Sequence, residues 1–221
     1  MLRGLFVTGT DTDAGKTVTS AALLCRYRHA MRLRYWKPVQ TGIEQDDDTT
    51  DVRHLARCRD HEVVAEGIRL PRPVSPHLAA RWAGQTIRIE DLTRLARPHT
   101  GDERWIVEGA GGALVPLNDT HRMIDLMRAL ALPVLVVSRS SLGTINHTLL
   151  TLEALRARFL SVAGVVMVGN KNPDNRAAIE QYGQVPVLGE MPFWKPLDAT
   201  RLAAWAAAEL DPHSQLLTLL E

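Results

Sequence analysis

Between an apolar run, Leu5 to Val7, and a helical pattern carried by Val18, Ala21, Ala22, Leu24 and Cys25 lies Gly9-Thr10-Asp11-Thr12-Asp13-Ala14-Gly15-Lys16-Thr17. This segment leaves few folds open. A loop that turns successive backbone N–H groups inward and ends at a helix N-terminus needs a strand to deliver it and a helix to receive it. The N–H groups and the helix dipole then favour a phosphate. Lys16 adds a mobile positive charge, and the Thr17 hydroxyl is a ligand for magnesium. One position departs from the usual spacing: the slot five residues before Gly15 holds Thr10, with Gly9 one place early.

The rest of the chain repeats the strand–helix alternation. β-rich runs recur at Leu33 to Trp36, Trp105 to Val107, Pro133 to Val137, Val162 to Val168 and Val185 to Leu188. Several are apolar at consecutive positions, as in strands covered on both faces. Helical patterns fall at Ile145 to Phe159, Asn175 to Tyr182, and through Leu202, Ala203, Ala206 and Leu210. The pattern predicts an α/β chain: a doubly wound, mostly parallel sheet with a P-loop nucleoside triphosphate hydrolase fold, in one domain over 1–221. Lys and Arg total 26 against 25 Asp and Glu, a net charge of +1, so electrostatics offer no warrant for nucleic acid or a membrane surface as partner. The start lacks a signal-peptide pattern, no apolar run approaches a membrane span, and two distant cysteines exclude a disulfide framework. The expectation is a cytoplasmic protein.

Ligands of doubly wound sheets bind beyond the carboxyl ends of the strands. Those ends are the phosphate loop, Lys37-Pro38-Val39-Gln40-Thr41-Gly42, Glu108-Gly109-Ala110-Gly111-Gly112, Ser138 to Asn146, and Gly169 to Asn172. Pro38 stops ladder pairing and leaves Lys37 at the ligand edge, where Lys16 and Lys37 together suit a transferring phosphoryl group. A lysine snorkelling from a strand end is the bland alternative. Glu108, followed by three glycines in four residues, is a carboxylate for magnesium or a solvated turn acid. Asp51 reads as a metal ligand or a helix cap, with Asp46, Asp47 and Asp48 as competitors that composition does not separate. Leu142-Gly143-Thr144-Ile145-Asn146-His147 opens a helix whose free N–H groups suit a carboxylate, or is an ordinary capped start. Ser75-Pro76-His77 reads as an N-cap followed by proline at the first helical position.

Taken together, Gly9 to Thr17, Lys37-Pro38-Val39, Pro73 to His77, Val107-Glu108-Gly109-Ala110-Gly111-Gly112, Leu142 to His147 and Leu188-Gly189-Glu190-Met191-Pro192 resemble the dethiobiotin synthetases, in family order from residue 4 to about 194. The resemblance implies ATP-dependent closure of a cyclic urea on diaminononanoate and carbon dioxide, through a carbamate and a carbamic-phosphoric anhydride, in biotin synthesis. Carried over by position, Lys37 and Lys16 are catalytic, and Asp13, Ala14, Gly15, Lys16, Thr17 and Val18 hold the phosphates. Thr17, Asp51 and Glu108 surround Mg2+, with Gly109, Ala110 and Gly111 alongside. Asn170, Pro192, Phe193 and Trp194 flank adenine. Thr41, Gly111, Gly112, Gly143, Thr144 and Asn146 contact substrate, the last three across a homodimer interface. Thr41 stands where the family commonly has serine.

Three other readings compete. Partition-type ATPases carry a second lysine five residues before the loop lysine, where this chain has Asp11. Cobyrinate-type amidotransferases need a glutaminase domain with a cysteine nucleophile, for which 221 residues leave no room. A regulatory module would bind nucleotide without turnover.

Overall fold

The computed structural model describes residues 2–96 and 101–220. In chain order its elements are β1 (Gly4–Gly9), α1 (Lys16–Tyr27), β2 (Leu33–Trp36), β3 (Val39–Thr41), α2 (Asp48–Leu55), β4 (Val63–Val64), β5 (Ile68–Leu70), α3 (Pro76–Trp82) and α4 (Ile89–Ala96). Then come β6 (Arg104–Gly112), α5 (Met123–Leu130), β7 (Val134–Arg139), α6 (Thr144–Arg156), β8 (Val162–Val168), α7 (Pro173–Gly183), β9 (Val187–Met191), α8 (Ala199–Glu209) and α9 (Gln215–Leu220).

Seven strands pair in the order β4-β2-β6-β1-β7-β8-β9, all parallel. The chain leaves β1 toward β2 and β4, returns through β6, and only then crosses to β7, β8 and β9. The direction of winding therefore reverses at β1, and the phosphate loop leaves the sheet at that switch point.

Parallel strands with crossover helices bury both faces, and residue alternation divides the core accordingly. Leu5 and Val7 of β1, with Leu135 and Val137 of β7, pack in the layer of α1, α2, α8 and α9. Phe6, Val134 and Val136 point the other way, toward Ala79, Leu92, Met123, Leu152 and Ile179 of the layer formed by α3, α4, α5, α6 and α7. In that second layer Trp36 and Trp105 meet edge to face with ring centroids 5.6 Å apart, worth about 0.5–1.5 kcal/mol beyond the area they bury.

Three features differ from the sequence expectation. Val39–Thr41 and Ile68–Leu70 form a separate two-stranded sheet, and Val63–Val64 is an edge strand of the main one. Runs of two or three residues carry no readable period. Glu108 does not end its strand, because β6 continues through the glycines to Gly112, which lies opposite Gly9 after a register shift. The α2 cap is Asp47, whose carboxylate accepts from the Thr49 and Thr50 amides. Ser75 and Pro76 do stand at the N-cap and first position of α3.

Candidate active site

The phosphate loop is held at its base by Thr10, whose amide donates to the Val137 carbonyl at 2.9 Å. At its far end Gly15 has φ 99, in the left-handed region, and an added Cβ would lie 2.9 Å from Val168 Cγ2. Only glycine meets both demands. Asp13 also takes a left-handed conformation, φ 55. Lys16 begins α1 and runs back under the loop, its Nζ donating to the Asp11 carbonyl at 3.1 Å. Burial, followed by repulsion from Lys37, holds its pKa below the ordinary lysine value.

Beside the loop, four elements deliver a carboxylate–lysine cluster. Glu108 is wholly buried. Its Oε1 accepts from Lys37 Nζ at 2.7 Å, and its Oε2 accepts from the Ser20 hydroxyl at 2.8 Å and the Tyr35 hydroxyl at 3.0 Å. Lys37 Nζ also lies 2.5 Å from Asp48 Oδ2. The Thr17 hydroxyl is 2.6 Å from Asp48 Oδ1 and 3.1 Å from Glu108 Oε1, so its single proton serves one carboxylate at a time. Burial alone would lower the Lys37 pKa, but Glu108 and Asp48 outweigh it and hold the ammonium above the usual range. Asp48 is the converse: burial opposes ionisation, and Lys37 overcomes it.

This geometry brings Asp48, and not the expected Asp51, to the cluster. Asp48, in the first turn of α2, reaches Thr17 and Lys37, whereas Asp51 is exposed and one turn further on. Burial and then Asp46 raise its pKa. At 1.5 Å of rise per residue, three residues carry a side chain about 4.5 Å further along the helix axis.

On the other side of the loop lies a cavity of about 580 Å³, walled by Asp13, Ala14, Gly15, Val18, Arg139, Ser140, Ser141, Val168, Gly169, Asn170, Lys171, Asn172, Pro192, Phe193, Trp194 and Leu197. All four residues expected around adenine are among them. Its walls are tied together: Asn175 Nδ2 donates to the Ser140 carbonyl at 3.0 Å, and the Asn172 amide to Glu190 Oε1 at 3.0 Å. Arg139, Ser140, Ser141, Lys171 and Asn172 fall within the strand-end segments Ser138 to Asn146 and Gly169 to Asn172, although the sequence gives none of the five a role of its own. Leu197 carries no such signal. A second cavity, about 530 Å³, lies at the opposite end of the sheet among Arg28, His29, Arg32, Arg59, His61 and Glu62, and no predicted site residue reaches it.

The remaining candidates fall at element ends. Gly109 places its carbonyl 3.4 Å from Lys37 Nζ, and Ala110, Gly111 and Gly112 complete β6. Thr41 ends β3, partly exposed. Gly143 caps α6 at φ 94, Asn146 is exposed, and the buried Thr144 hydroxyl has no hydrogen-bond partner among the described residues.

Comparison with known proteins agrees with this layout. An AAA domain family model matches residues 3–201. The ATP-dependent dethiobiotin synthetase BioD of Paramagnetospirillum magneticum is 50% identical over 205 residues, covering 93% of this chain and 94% of that one. The protein of the same name from Brucella ovis is 44% identical over 198 residues, covering 90% of each. Among solved structures, the MinC:MinD cell division protein complex of Aquifex aeolicus gives a TM-score of 0.60 at 10% identity, covering 99% of this chain and 96% of that one. A ParA family ATPase from Chlorobium tepidum TLS gives 0.56, also at 10% identity, covering 100% and 98%. These structural likenesses establish the doubly wound P-loop fold. The family model spans the loop, Lys37, Asp48 and Glu108, and with nearly full-length relatives at 44–50% identity the chain belongs to the ATP-dependent dethiobiotin synthetase family.

Proposed function

We propose that this chain closes the ring of dethiobiotin from 7,8-diaminononanoate and carbon dioxide, with cleavage of ATP. The carrying observation is that Lys16, Lys37, Asp48 and Glu108 gather at the edge of the phosphate loop, in a chain of this family. One substrate amine adds through its lone pair to carbon dioxide and loses a proton, giving a carbamate. A carbamate oxygen attacks the γ-phosphorus and ADP leaves. The second amine then attacks the carbamoyl carbon and loses a proton, and phosphate departs as the ring closes.

The chain's part is positioning and charge. The loop amides from Asp13 to Val18 cradle the phosphates, and Lys16 neutralises the charge that spreads over the transferring group. Lys37, held in its charged form by two carboxylates, faces the carbamate and the γ-phosphoryl group. Magnesium, when bound with ATP, would supply further charge neutralisation at the phosphates. Thr17, Asp48 and Glu108 are the residues fitted to hold it, since their oxygens already converge and hard oxygen donors suit that ion. Asn170 and Pro192 to Trp194 flank the adenine in the 580 Å³ cavity.

The same reading takes the chain as one domain and as half of a homodimer. Leu202, Trp205, Leu210, Leu216 and Leu220 pack into the core of α1 and β1, which supports the single domain. Fully exposed Leu142, next to Gly143, with exposed Leu114 and Leu150, supports a subunit contact where the substrate carboxylate meets Gly143, Thr144 and Asn146, while Thr41, Gly111 and Gly112 line the diamine. Among the described residues no helix is long and apolar enough to cross a membrane, and the cytoplasm, where ATP is made, is the compartment we assign.

The test incubates purified protein with diaminononanoate, bicarbonate, ATP and magnesium and follows the cyclic urea by mass spectrometry. Product that requires all four components supports the reading. Absence of product, with or without ATP hydrolysis, refutes it.

A further inference from the structure

Arg139, the last residue of β7, points across to the phosphate loop instead of out to solvent. Its guanidinium donates to the Thr12 carbonyl at 2.8 Å and lies 3.8 Å from Asp11 Oδ2, with the side chain about half exposed. From the other side, Lys16 Nζ donates to the carbonyl of Asp11. The two consecutive outward carbonyls of the loop's first turn are thus each held by a cation.

Peptide planarity gives the contact its consequence. In a trans peptide the C=O of residue 12 and the N–H of residue 13 point in opposite directions. A cation that fixes the Thr12 carbonyl therefore also fixes the Asp13 amide, and Asp13 is the residue that must hold φ 55, a left-handed conformation unfavourable for a side chain with a Cβ. Thr12 is also tied locally, its amide donating to Asp11 Oδ1 at 2.7 Å. Loss of the Arg139 guanidinium removes the donor that holds the Thr12 carbonyl against relaxation of this turn.

We infer that Arg139 is a positioning residue that holds the phosphate loop in its anion-receiving form before nucleotide arrives, acting on the loop and not on the base. The inference rests on ATP binding at this loop. Its test measures binding, so failure of the ring-closing reaction would leave it separately decidable.

The experiment compares wild type with Arg139→Met, which keeps volume and removes the donor, by titrating ATP, ADP and adenosine calorimetrically, with melting curves run in parallel. ATP and ADP affinity should fall about tenfold, the effect of one charge-assisted hydrogen bond, while adenosine affinity and melting temperature stay close to wild type. In the steady state the loss should appear in KM for ATP, with KM for diaminononanoate within about twofold. Raising salt to about 0.5 M, where through-space attraction between exposed charges is largely screened, should leave the tenfold gap in place. Unchanged ATP affinity would overturn the assignment. An equal loss for adenosine would make Arg139 a contact of the base or ribose, and collapse of the gap at high salt would make it a general attraction; either result also overturns it.

Discussion

Replacing Lys37 by methionine tests the central cluster most directly. The lysine side chain is 4% exposed and its ammonium lies 2.7 Å from wholly buried Glu108 and 2.5 Å from Asp48, so removing the charge strands two carboxylates. Breaking a buried pair at one partner costs about 3–5 kcal/mol. The lower end applies here, because Glu108 keeps the Ser20 and Tyr35 hydroxyls and methionine fills the vacated volume. About 3 kcal/mol in a chain of this size lowers the melting temperature by roughly 6–12 °C. Adding Glu108→Gln to the same chain removes the stranded buried charge, and the double variant should recover at least about 1 kcal/mol relative to the sum of the singles. Urea and thermal melts without nucleotide measure the first effect. Product formation and an ATP titration measure the second: cyclic urea formation should fall at least about a hundredfold while ATP affinity stays within about tenfold. A single variant that melts within about 2 °C of wild type would show that the ammonium is not an integral counter-charge. Normal turnover would remove Lys37 from the reaction.

The choice between the two helix α2 carboxylates is settled by magnesium titration of activity. Asp48→Asn should raise the half-maximal magnesium concentration about tenfold or more and Asp51→Asn by less than about twofold, and the reverse order would return the role to Asp51. The two lysines should separate with pH. Lys16, with its pKa below 10.5, loses its proton before Lys37, whose pKa lies above it. ATP affinity measured directly should therefore be half lost on the alkaline side before pH 10.5 is reached, and a dissociation constant still unchanged at that pH contradicts the burial of Lys16. Stability follows the opposite sign for the pair. The Asp48 contribution is present above its unfolded value of 3.8 and lost as pH falls through the depressed folded value, while that of Lys37 is present below 10.5 and lost as pH rises through the elevated one. The stability gap between wild type and Lys37→Met should then be widest on the alkaline side of neutrality and narrow as pH falls, because Asp48 without its cation takes up a proton more readily; a gap that widens toward acid would contradict it.

Much of the fold could be read from the sequence, because Leu5 to Val7, Val134 to Val137 and Val162 to Val168 are apolar at successive positions, as strands buried on both faces must be. The short strands could not, since Val63–Val64 acquires its conformation from Tyr35 and Trp36 beside it. At the site, Lys16 and Thr17 follow from the loop, and Lys37 and Glu108 from their strands. Asp48 did not emerge from sequence, because four carboxylates crowd residues 46–51 and only the three-dimensional start of α2 decides which one meets Thr17. Arg139 was hidden for a related reason: its partner is a backbone carbonyl, which has no residue type to recognise.

The irregular spacing of the loop shows how such a departure is resolved. A glycine is needed where a Cβ cannot fit or where φ is positive, and Thr10 meets neither condition. It continues the line of β1 by donating to the Val137 carbonyl, so any side chain is admissible there. At Gly9 a Cβ would lie 2.6 Å from the Asp11 carbonyl and 3.2 Å from Lys16 Nζ, which excludes everything larger than hydrogen. The steric requirement has moved one residue toward the strand. The left-handed turn that remains falls on Asp13, where no glycine relieves it. That is the turn clasped by Arg139, so the early glycine, the strained aspartate and the arginine at the end of β7 form one solution to the same backbone problem.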